Sequence, residues 1–203
     1  MPNNKALTRR SALTLAAAAG FVTLLPLKAT ALTNKQAADL IDNVVADINK
    51  IINSGKSESS MYRDFEALFA KYGDVPIIAR SSLGVAWRSA SASQQQRYVA
   101  AFRGYMAQKY GKRFREFIGG KIVVTGARKV SSGYLVGSVA HLKGSAPFSV
   151  EWQVSDKSGQ VKMFNLYIEG ISLLATERTE ITAMLDKRRG DLNKLIADLE
   201  KMG

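Results

Sequence analysis

Cysteine is absent from this chain of 203 residues, and histidine occurs only once, as His141. The chain can therefore form no disulfide, no thiolate metal site, no cysteine nucleophile and no lipid-modified cysteine anchor. A single histidine also excludes a metal site that needs several imidazole ligands. With 46% apolar and 23% charged residues, the composition predicts a soluble globular protein with one compact domain, or one domain with a small annex.

The N-terminus has the three-part layout of a secretory signal peptide. Residues 1–10 are basic, residues 11–27 are apolar, and Ala29-Thr30-Ala31 is a small-x-small cleavage pattern. An arginine pair at positions 9 and 10 also resembles a twin-arginine export signal, so both the Tat and the Sec route stay open. The alternative is a retained membrane anchor, although an apolar run of about 17 residues is short for a span. We expect cleavage of residues 1–31 and a mature domain of residues 32–203 in the periplasm.

Positive charge is concentrated in one segment of the mature chain. Residues 1–31 hold four basic residues, which leaves 25 of the 29 basic residues against 17 acidic ones. Residues 97–129 contain nine basic residues and a single acid, Glu116. A positive field of this kind attracts anionic headgroups, an acidic partner or nucleic acid, and the export signal disfavours nucleic acid. The alternative is an ordinary solvated surface that keeps the protein soluble.

The first half of the mature chain has helical periodicity. Thr33 forms a capping-box pattern with Gln36, and apolar residues recur at helical spacing after it. A second helix is predicted over residues 59–72. Asp74 is a suitable N-cap for a third helix, which we extend as far as Trp87.

A fourth predicted helix, over residues 94–110, has an unusual apolar face. Ser93 and Gln96 form the capping-box pattern at its start. Gly111 is expected to break or bend it, and a continuation over residues 112–118, stopped by Gly119-Gly120, stays open. Six apolar residues fall on one arc about 140° wide, and four of them are aromatic. Leucine and isoleucine are more usual in a small core. The face therefore indicates either aromatic core packing or a lining for a large apolar ligand.

The second half alternates with the period of β-strands. Strands are predicted over residues 121–130, 133–143, 147–155 and 160–169. The short turns between them require antiparallel neighbours. The third strand has one apolar face and one face expected to be wet, whereas the fourth is apolar on both faces and is expected to be covered.

Helices followed by an antiparallel sheet predict an α+β fold. The helical part spans residues 32–118, the sheet residues 121–169, and the C-terminal helices residues 171–201. A sheet that curls against a helical layer can leave an apolar cavity between the two layers.

This sequence contains no recognisable arrangement of catalytic residues. His141 lies on a predicted strand without a partner that the sequence can place, so we interpret it as a structural or surface residue. Glu151 is on the wet face of its strand, and Glu169 lies at a turn. Glu177 and Glu180 lie on a terminal helix among basic residues, which is typical of a solvated face. We therefore expect no enzyme and no metal site.

Two segments far apart in the domain resemble those of one known family. The first is Leu83-Gly84-Val85-Ala86-Trp87-Arg88, within residues 74–102, and the second is Glu169-Gly170-Ile171-Ser172-Leu173, within residues 161–173. Tyr110 and Phe114 lie between them. Together they resemble the MlaC or toluene-tolerance family of periplasmic phospholipid-binding proteins, over nearly all of the mature chain. Asn165 and Ile181 depart from the usual Asp and aromatic residue of that family, which leaves its hopanoid-associated branch open.

The resemblance implies a lipid carrier without a cofactor or catalysis of its own. It implies a helical layer around a curled four-stranded antiparallel sheet, similar to the nuclear-transport-factor-2 type, with acyl chains held in an apolar cavity. The implied partners are phospholipid, an outer-membrane lipoprotein complex and an inner-membrane ABC lipid transporter, a system that maintains outer-membrane lipid asymmetry. We expect a monomer that binds no nucleic acid.

The expected lipid site combines the aromatic helix face with the sheet. The residues expected to contact acyl chains are Trp87, Phe102, Tyr105, Met106, Trp152, Phe164 and Ile168. The residues expected to dock on headgroups or on an acidic partner surface are Arg97, Arg103, Lys112, Arg113 and Arg115. Three alternatives stay open: a carrier of hopanoids or another apolar ligand, a periplasmic interaction protein with a filled core, and an enzyme that uses the same cavity.

Overall fold

The computed structural model describes residues 32–114 and 118–203. The predicted signal peptide, residues 1–31, and Arg115 of the predicted docking set lie outside the described residues. The described helices are α1 (Asn34–Ile52), α2 (Glu58–Tyr72), α3 (Val75–Leu83), α4 (Ala86–Ser89), α5 (Ala92–Phe114), α6 (Leu173–Lys187) and α7 (Leu192–Met202). The described strands are β1 (Lys121–Val130), β2 (Gly133–His141), β3 (Phe148–Ser155), β4 (Lys162–Ile168) and β5 (Ile171–Ser172).

Helix α1 begins where the sequence predicted. The Thr33 hydroxyl accepts a hydrogen bond from the Gln36 backbone N–H at 3.2 Å, and the Gln36 side chain accepts one from the Thr33 N–H at 3.0 Å. This confirms the capping box, which satisfies two donors that a bare helix end leaves unpaired. The apolar face of α1, which includes Ile41 and Val44, is buried against α2 and the sheet.

The predicted third helix is wrong in its extent. Helix α3 starts after the predicted N-cap Asp74, but it ends at Leu83, and α4 is a separate turn. Gly84 causes the break because its φ of 63° and ψ of −126° are not helical and are rarely adopted by residues with a side chain. A Cβ at Gly84 would also lie 3.3 Å from the Arg178 guanidinium, so α6 approaches the backbone closely here.

Helix α5 differs from its prediction at its start and at Gly111. Ser91 and Gln94, not Ser93 and Gln96, make the reciprocal capping bonds, at 3.2 and 3.0 Å. The helix then passes through Gly111 without interruption. A Cβ at Gly111 would lie 2.7 Å from a ring carbon of Tyr62, so glycine is needed here for the close approach of α2 rather than as a helix stop.

The five strands form one antiparallel sheet in the order β1-β2-β3-β4-β5. The prediction of four strands missed β5, a two-residue strand in which Ile171 pairs with Ile168. Bulges interrupt the ladders next to Gly126 on β1 and between Gln153 and Val154 on β3. Bulges bend strands and increase their twist, which accounts for the curl of this open sheet.

The burial of the sheet residues follows the predicted faces. On β3, Val150, Trp152 and Val154 are buried, and the residues between them are half-buried. Every residue of β4 is half-buried, with α3 and α6 packed against this strand. The predicted apolar face of β3 is confirmed, whereas β4, which was expected to be covered on both faces, is only partly covered.

Two groups of buried apolar residues stabilise the domain. The sheet core joins α1 and α2 to strands β2 and β3, and the helical core joins α3, α5, α6 and α7. Within the ranges that the structure describes, no helix is long and apolar enough to cross a bilayer.

Candidate functional site

An apolar cavity of about 120 Å³ lies where the sheet core meets the helical core. Val44, Phe65 and Trp152 reach it from the sheet core, and Ile78 and Met106 reach it from the helical core. Strand β4 and the start of α6 complete the wall. Because both cores contribute side chains, the cavity lies along the seam between them.

Three of the predicted acyl-chain residues line this cavity, namely Met106, Trp152 and Phe164. Met106 is buried on α5, and Phe164 is half-buried on β4. The Trp152 indole is held in place because its Nε1 donates to the Ser138 hydroxyl at 2.9 Å. Ser138 in turn donates to the Val150 carbonyl at 3.0 Å, so this side chain is oriented by a short chain of buried hydrogen bonds.

The other four predicted acyl-chain residues lie elsewhere. Phe102 is fully buried in the helical core between Tyr98 and Tyr105, with ring centroids 5.7 and 6.3 Å away. Trp87 is half-buried against the same core, and Ile168 is half-buried at the end of β4. These residues are not among those that line the cavity.

A polar cluster borders the cavity, and the sequence did not predict it. It consists of Tyr105, Lys109 and Tyr110 on α5 and of Glu177 and Glu180 on α6. Lys109 donates to Glu177 Oε1 at 2.7 Å, to Glu180 Oε2 and to the Tyr105 hydroxyl at 3.1 Å. The Tyr110 hydroxyl donates to Glu177 Oε1, and the Tyr105 hydroxyl donates to Glu180 Oε1 at 2.8 Å. Tyr110 and Glu177 both belong to the cavity wall.

The prediction that Glu177 lies on a solvated face is wrong, because its residue exposure is 0%. The spacing of the apolar residues in α6 does indicate that Glu177 is buried. Glu177 stands three residues after Leu174 and four before Ile181, on the stripe that faces the protein interior. A carboxylate at an apolar position of an amphipathic helix is costly unless it is paired, so that position itself indicates a special role.

The surroundings of the polar cluster fix the charge of most of its members. Burial raises the pKa of Tyr105 and Tyr110, and hydrogen bonds to Glu180 and Glu177 raise it further, so both phenols are neutral. Burial alone would lower the pKa of Lys109, but its bonds to Glu177 and Glu180 outweigh burial and raise it. Burial alone would raise the pKa of Glu180, but the bonds from Lys109 and Tyr105 bring it below its usual value.

The polar side chain of Asn165 on the cavity wall is satisfied by its neighbours. Its amide nitrogen donates to Gln153 Oε1 at 2.9 Å and to the Ser172 hydroxyl at 3.1 Å. Its Oδ1 accepts from the Leu174 N–H at 3.0 Å in the first turn of α6. Asn165 therefore joins β4, β3 and the start of α6 at the cavity wall.

Two of the five predicted docking cations are paired with carboxylates of the same chain. Arg97 pairs with Glu200 at 3.2 Å, and Arg103 pairs with Glu66 at 2.8 Å. Lys112 and Arg113 are exposed near the end of α5, and no ion pair links either of them to another described residue. The described residues also contain no group of three or more His, Cys, Asp or Glu side chains that could hold a metal ion.

Helices packed against an open antiparallel sheet, with an apolar cavity between them, define an α+β protein with an apolar pocket between its layers. Residues 39–201 match the family model described as MlaC protein, and the chain belongs to this family. The family resemblance expected from the sequence is confirmed.

Two known proteins place this chain among its relatives. It is similar to the intermembrane phospholipid transport system binding protein MlaC of Haemophilus influenzae, with 22% identity over 160 residues, 76% of this chain and 73% of that protein. Its fold is similar to that of a phospholipid-binding protein from Ralstonia solanacearum, solved in complex with a phospholipid. The TM-score is 0.69 at 17% identity, over 82% of this chain and 96% of the other. The α+β prediction is therefore confirmed, with the addition of β5.

Proposed function

We propose that this protein is a periplasmic lipid carrier that holds acyl chains in the cavity between its two cores. In this role it receives phospholipid from an outer-membrane lipoprotein complex and exchanges it with an inner-membrane ABC transporter. The observation that carries the proposal is the apolar cavity, whose wall contains only a few polar side chains. Membership of the MlaC family, and the phospholipid named for both relatives above, support the proposed ligand.

The energetics of lipid transfer explain why such a carrier is needed. Moving a methylene group from an apolar environment into water costs about 0.8 kcal/mol. Because this cost adds up over two acyl chains, a two-chain lipid rarely crosses an aqueous space alone. A protein that buries the chains removes most of this barrier, whereas the ABC transporter supplies any net driving force. The proposal therefore gives the carrier no reaction of its own and no cofactor.

The cavity must widen before it can hold such a ligand. Its 120 Å³ is smaller than the roughly 150 Å³ of an engineered cavity that binds benzene. The seam offers a route, because most buried residues on either side of it pack within their own core. Phe69 and Phe164 are the cavity-lining residues of α2 and β4 that pack on the helical core and would have to move. Met106 on α5 and Met163 on β4 both line the cavity, and methionine side chains are flexible enough to adapt to ligands of varied shape.

The predicted residues have separate roles in such a carrier. Met106, Trp152 and Phe164 contact the acyl chains, since they already line the cavity. Lys112 and Arg113 bring the carrier to anionic surfaces, because exposed cations near anionic lipid each contribute about 1 kcal/mol. Residues 1–31 direct export and are removed, which leaves a soluble monomer of residues 32–203.

Native mass spectrometry of the exported protein tests this function. We expect the chain to begin at Leu32 and to carry one phospholipid mass, which organic extraction removes. A second assay follows labelled phospholipid from donor to acceptor vesicles, and we expect its rate to rise in proportion to the carrier concentration. Heat-denatured carrier is the control. Protein that carries no lipid and does not accelerate transfer would contradict the proposal.

A further inference from the structure

Leu32, the residue expected to begin the mature chain, is held in place by three contacts. Its side chain is buried in the sheet core, to which Ala37 in the first turn of α1 also belongs. Its carbonyl accepts a hydrogen bond from the Tyr134 hydroxyl at 2.7 Å, in a buried position. Its backbone nitrogen lies 3.2 Å from Asp156 Oδ2, in the connection between β3 and β4. These contacts fix the position of the Leu32 nitrogen beside a carboxylate.

Asp156 has no cationic side chain as a partner. Within the described part of the chain, no lysine, arginine or histidine forms an ion pair with its carboxylate, which accepts from the Leu32 N–H. The start of α1 also lacks an anion of its own. Its first turn contains no acidic residue, although the N-terminus of a helix is electropositive. Lys35 adds to that positive charge and pairs with Asp39 further along the helix.

Removal of the signal peptide changes the charge of the Leu32 nitrogen. In the precursor this nitrogen belongs to a peptide bond and is neutral. Hydrolysis by signal peptidase breaks the bond between the Ala31 carbonyl carbon and the Leu32 nitrogen. The hydroxyl of one water molecule goes to the new Ala31 carboxyl group, and its hydrogen goes to the new Leu32 amine. This amine binds a further proton at neutral pH, because the pKa of an α-amino group is about 7.7–8.0.

We propose that the α-ammonium group created at Leu32 forms an ion pair with Asp156, so that removal of the signal peptide fastens the start of α1 to the connection between β3 and β4. This inference rests on the cleavage after Ala31 in the proposed function, and it does not depend on which lipid is carried. The precursor has only the neutral hydrogen bond at this place. Because α1 contributes Val44 and Ile48 to the cavity wall, the pair anchors a helix that the lipid site needs.

Moving the charge by one residue tests the pair. A precursor with one glycine inserted between Ala31 and Leu32 keeps the small-x-small cleavage pattern, so its exported chain should begin with that glycine. Leu32 then keeps a neutral N–H for Asp156, but the ammonium group lies one residue, about 3.8 Å, further away. Both exported proteins are delipidated, because bound ligand would add to their stability. Intact mass verifies the first residue, and urea unfolding is measured with and without Asp156→Asn.

The effect of Asp156→Asn should depend on the N-terminus. We expect this substitution to raise the equilibrium constant of unfolding about fivefold more in the protein that begins at Leu32 than in the glycine-extended protein, the upper end for a pair near the surface. The difference should shrink at about 1 M salt. Asp39→Asn is the matched control, because it removes the ion pair to Lys35 on the same helix and should have equal effects in both proteins.

A labelling experiment tests the same pair in the folded protein. Primary amines are acetylated with a limiting amount of reagent near neutral pH, and the products are quantified by peptide mass. The Leu32 amine should react about threefold more slowly in the wild type than in Asp156→Asn, because a nearby carboxylate favours the protonated, unreactive form. The exposed Lys35 amine is the internal reference and should react equally in both.

The outcomes separate this inference from the proposed function. Equal effects of Asp156→Asn in the two proteins, or equal acetylation rates of the Leu32 amine, would overturn the ion pair. An exported protein with a different first residue would overturn the proposed processing, and the ion pair with it. A protein that begins at Leu32 and shows both differences but carries no lipid would support the ion pair and contradict the lipid-carrier function.

Discussion

Filling the cavity should remove lipid binding without lowering the stability of the protein. Ala107→Phe is the substitution that tests this. Ala107 lies on α5 in the cavity wall and is buried. Its replacement adds an aromatic ring of about the size that an engineered cavity of roughly 150 Å³ accommodates. The ring would occupy the space that we assign to acyl chains.

The magnitude follows from the cavity volume. At about 24 cal/mol per Å³, an empty space of 120 Å³ represents about 3 kcal/mol of unrealised packing. Strain from fitting a larger side chain costs about 1–3 kcal/mol. The net change in the free energy of unfolding is therefore between about zero and 2 kcal/mol in favour of the variant, and each kcal/mol shifts Tm by roughly 2–4 °C.

The assay combines thermal unfolding with lipid extraction. We expect Ala107→Phe to melt at or above the wild-type temperature and to hold little lipid. Ala101→Phe is the matched control, because Ala101 lies on the same helix in the helical core but not in the cavity wall. It should lower the stability by about 1–3 kcal/mol and retain lipid in the folded fraction. An Ala107→Phe protein with a full lipid load would refute the assignment of this cavity to acyl chains.

Three further predictions test other parts of the structure. Asn165→Asp removes the amide donor to Gln153, so we expect a loss of about 1–2 kcal/mol in denaturant unfolding, and unchanged stability would contradict the described role of that amide. Reversing Lys112 and Arg113 to glutamate should slow transfer to anionic vesicles about tenfold at low salt and little at high salt, and an equal rate at low salt would exclude docking by these residues. Hydrogen bonds from a tyrosine and two lysines hold the pKa of Asp47 below its usual value, so its contribution to stability is complete above about pH 5 and is lost as the pH falls towards the lowered pKa. Asp47→Asn should therefore lower the free energy of unfolding at pH 7 and also make it fall less steeply as the pH decreases. Acid unfolding curves with the same shape for the variant and the wild type would contradict this.

Local pattern predicted the elements of this fold well, because helix caps and strand alternation depend on nearby residues. Thr33 and Asp74 were recognised as N-caps from their neighbours alone, and β3 was assigned from its alternation. The break at Gly84 was missed because an isolated glycine in a helical pattern does not reveal its φ angle. Strand β5 was missed because two residues carry no periodicity.

Features that depend on distant partners were predicted less well. Residues 97–129 contain an excess of positive charge in the sequence, but Arg97 finds Glu200 across more than a hundred residues and Arg103 finds Glu66 on α2. Met106 and Trp152 were placed in the cavity because each lies on a recognisable apolar face. Glu177 was assigned to the surface because its charge was given more weight than its place on the inward stripe of α6.

The seam between the two cores has a consequence for cooperativity. Each core is a contiguous cluster, and the empty cavity reduces the contact between them at this point. A lipid in the seam would touch both cores at once and would couple their local unfolding, because a ligand stabilises every part of the protein that must open to release it. We therefore expect amide hydrogen exchange to report different opening free energies for α1 and α7 in the lipid-free protein. When lipid is bound, the two opening free energies should converge, although the two helices are far apart in sequence.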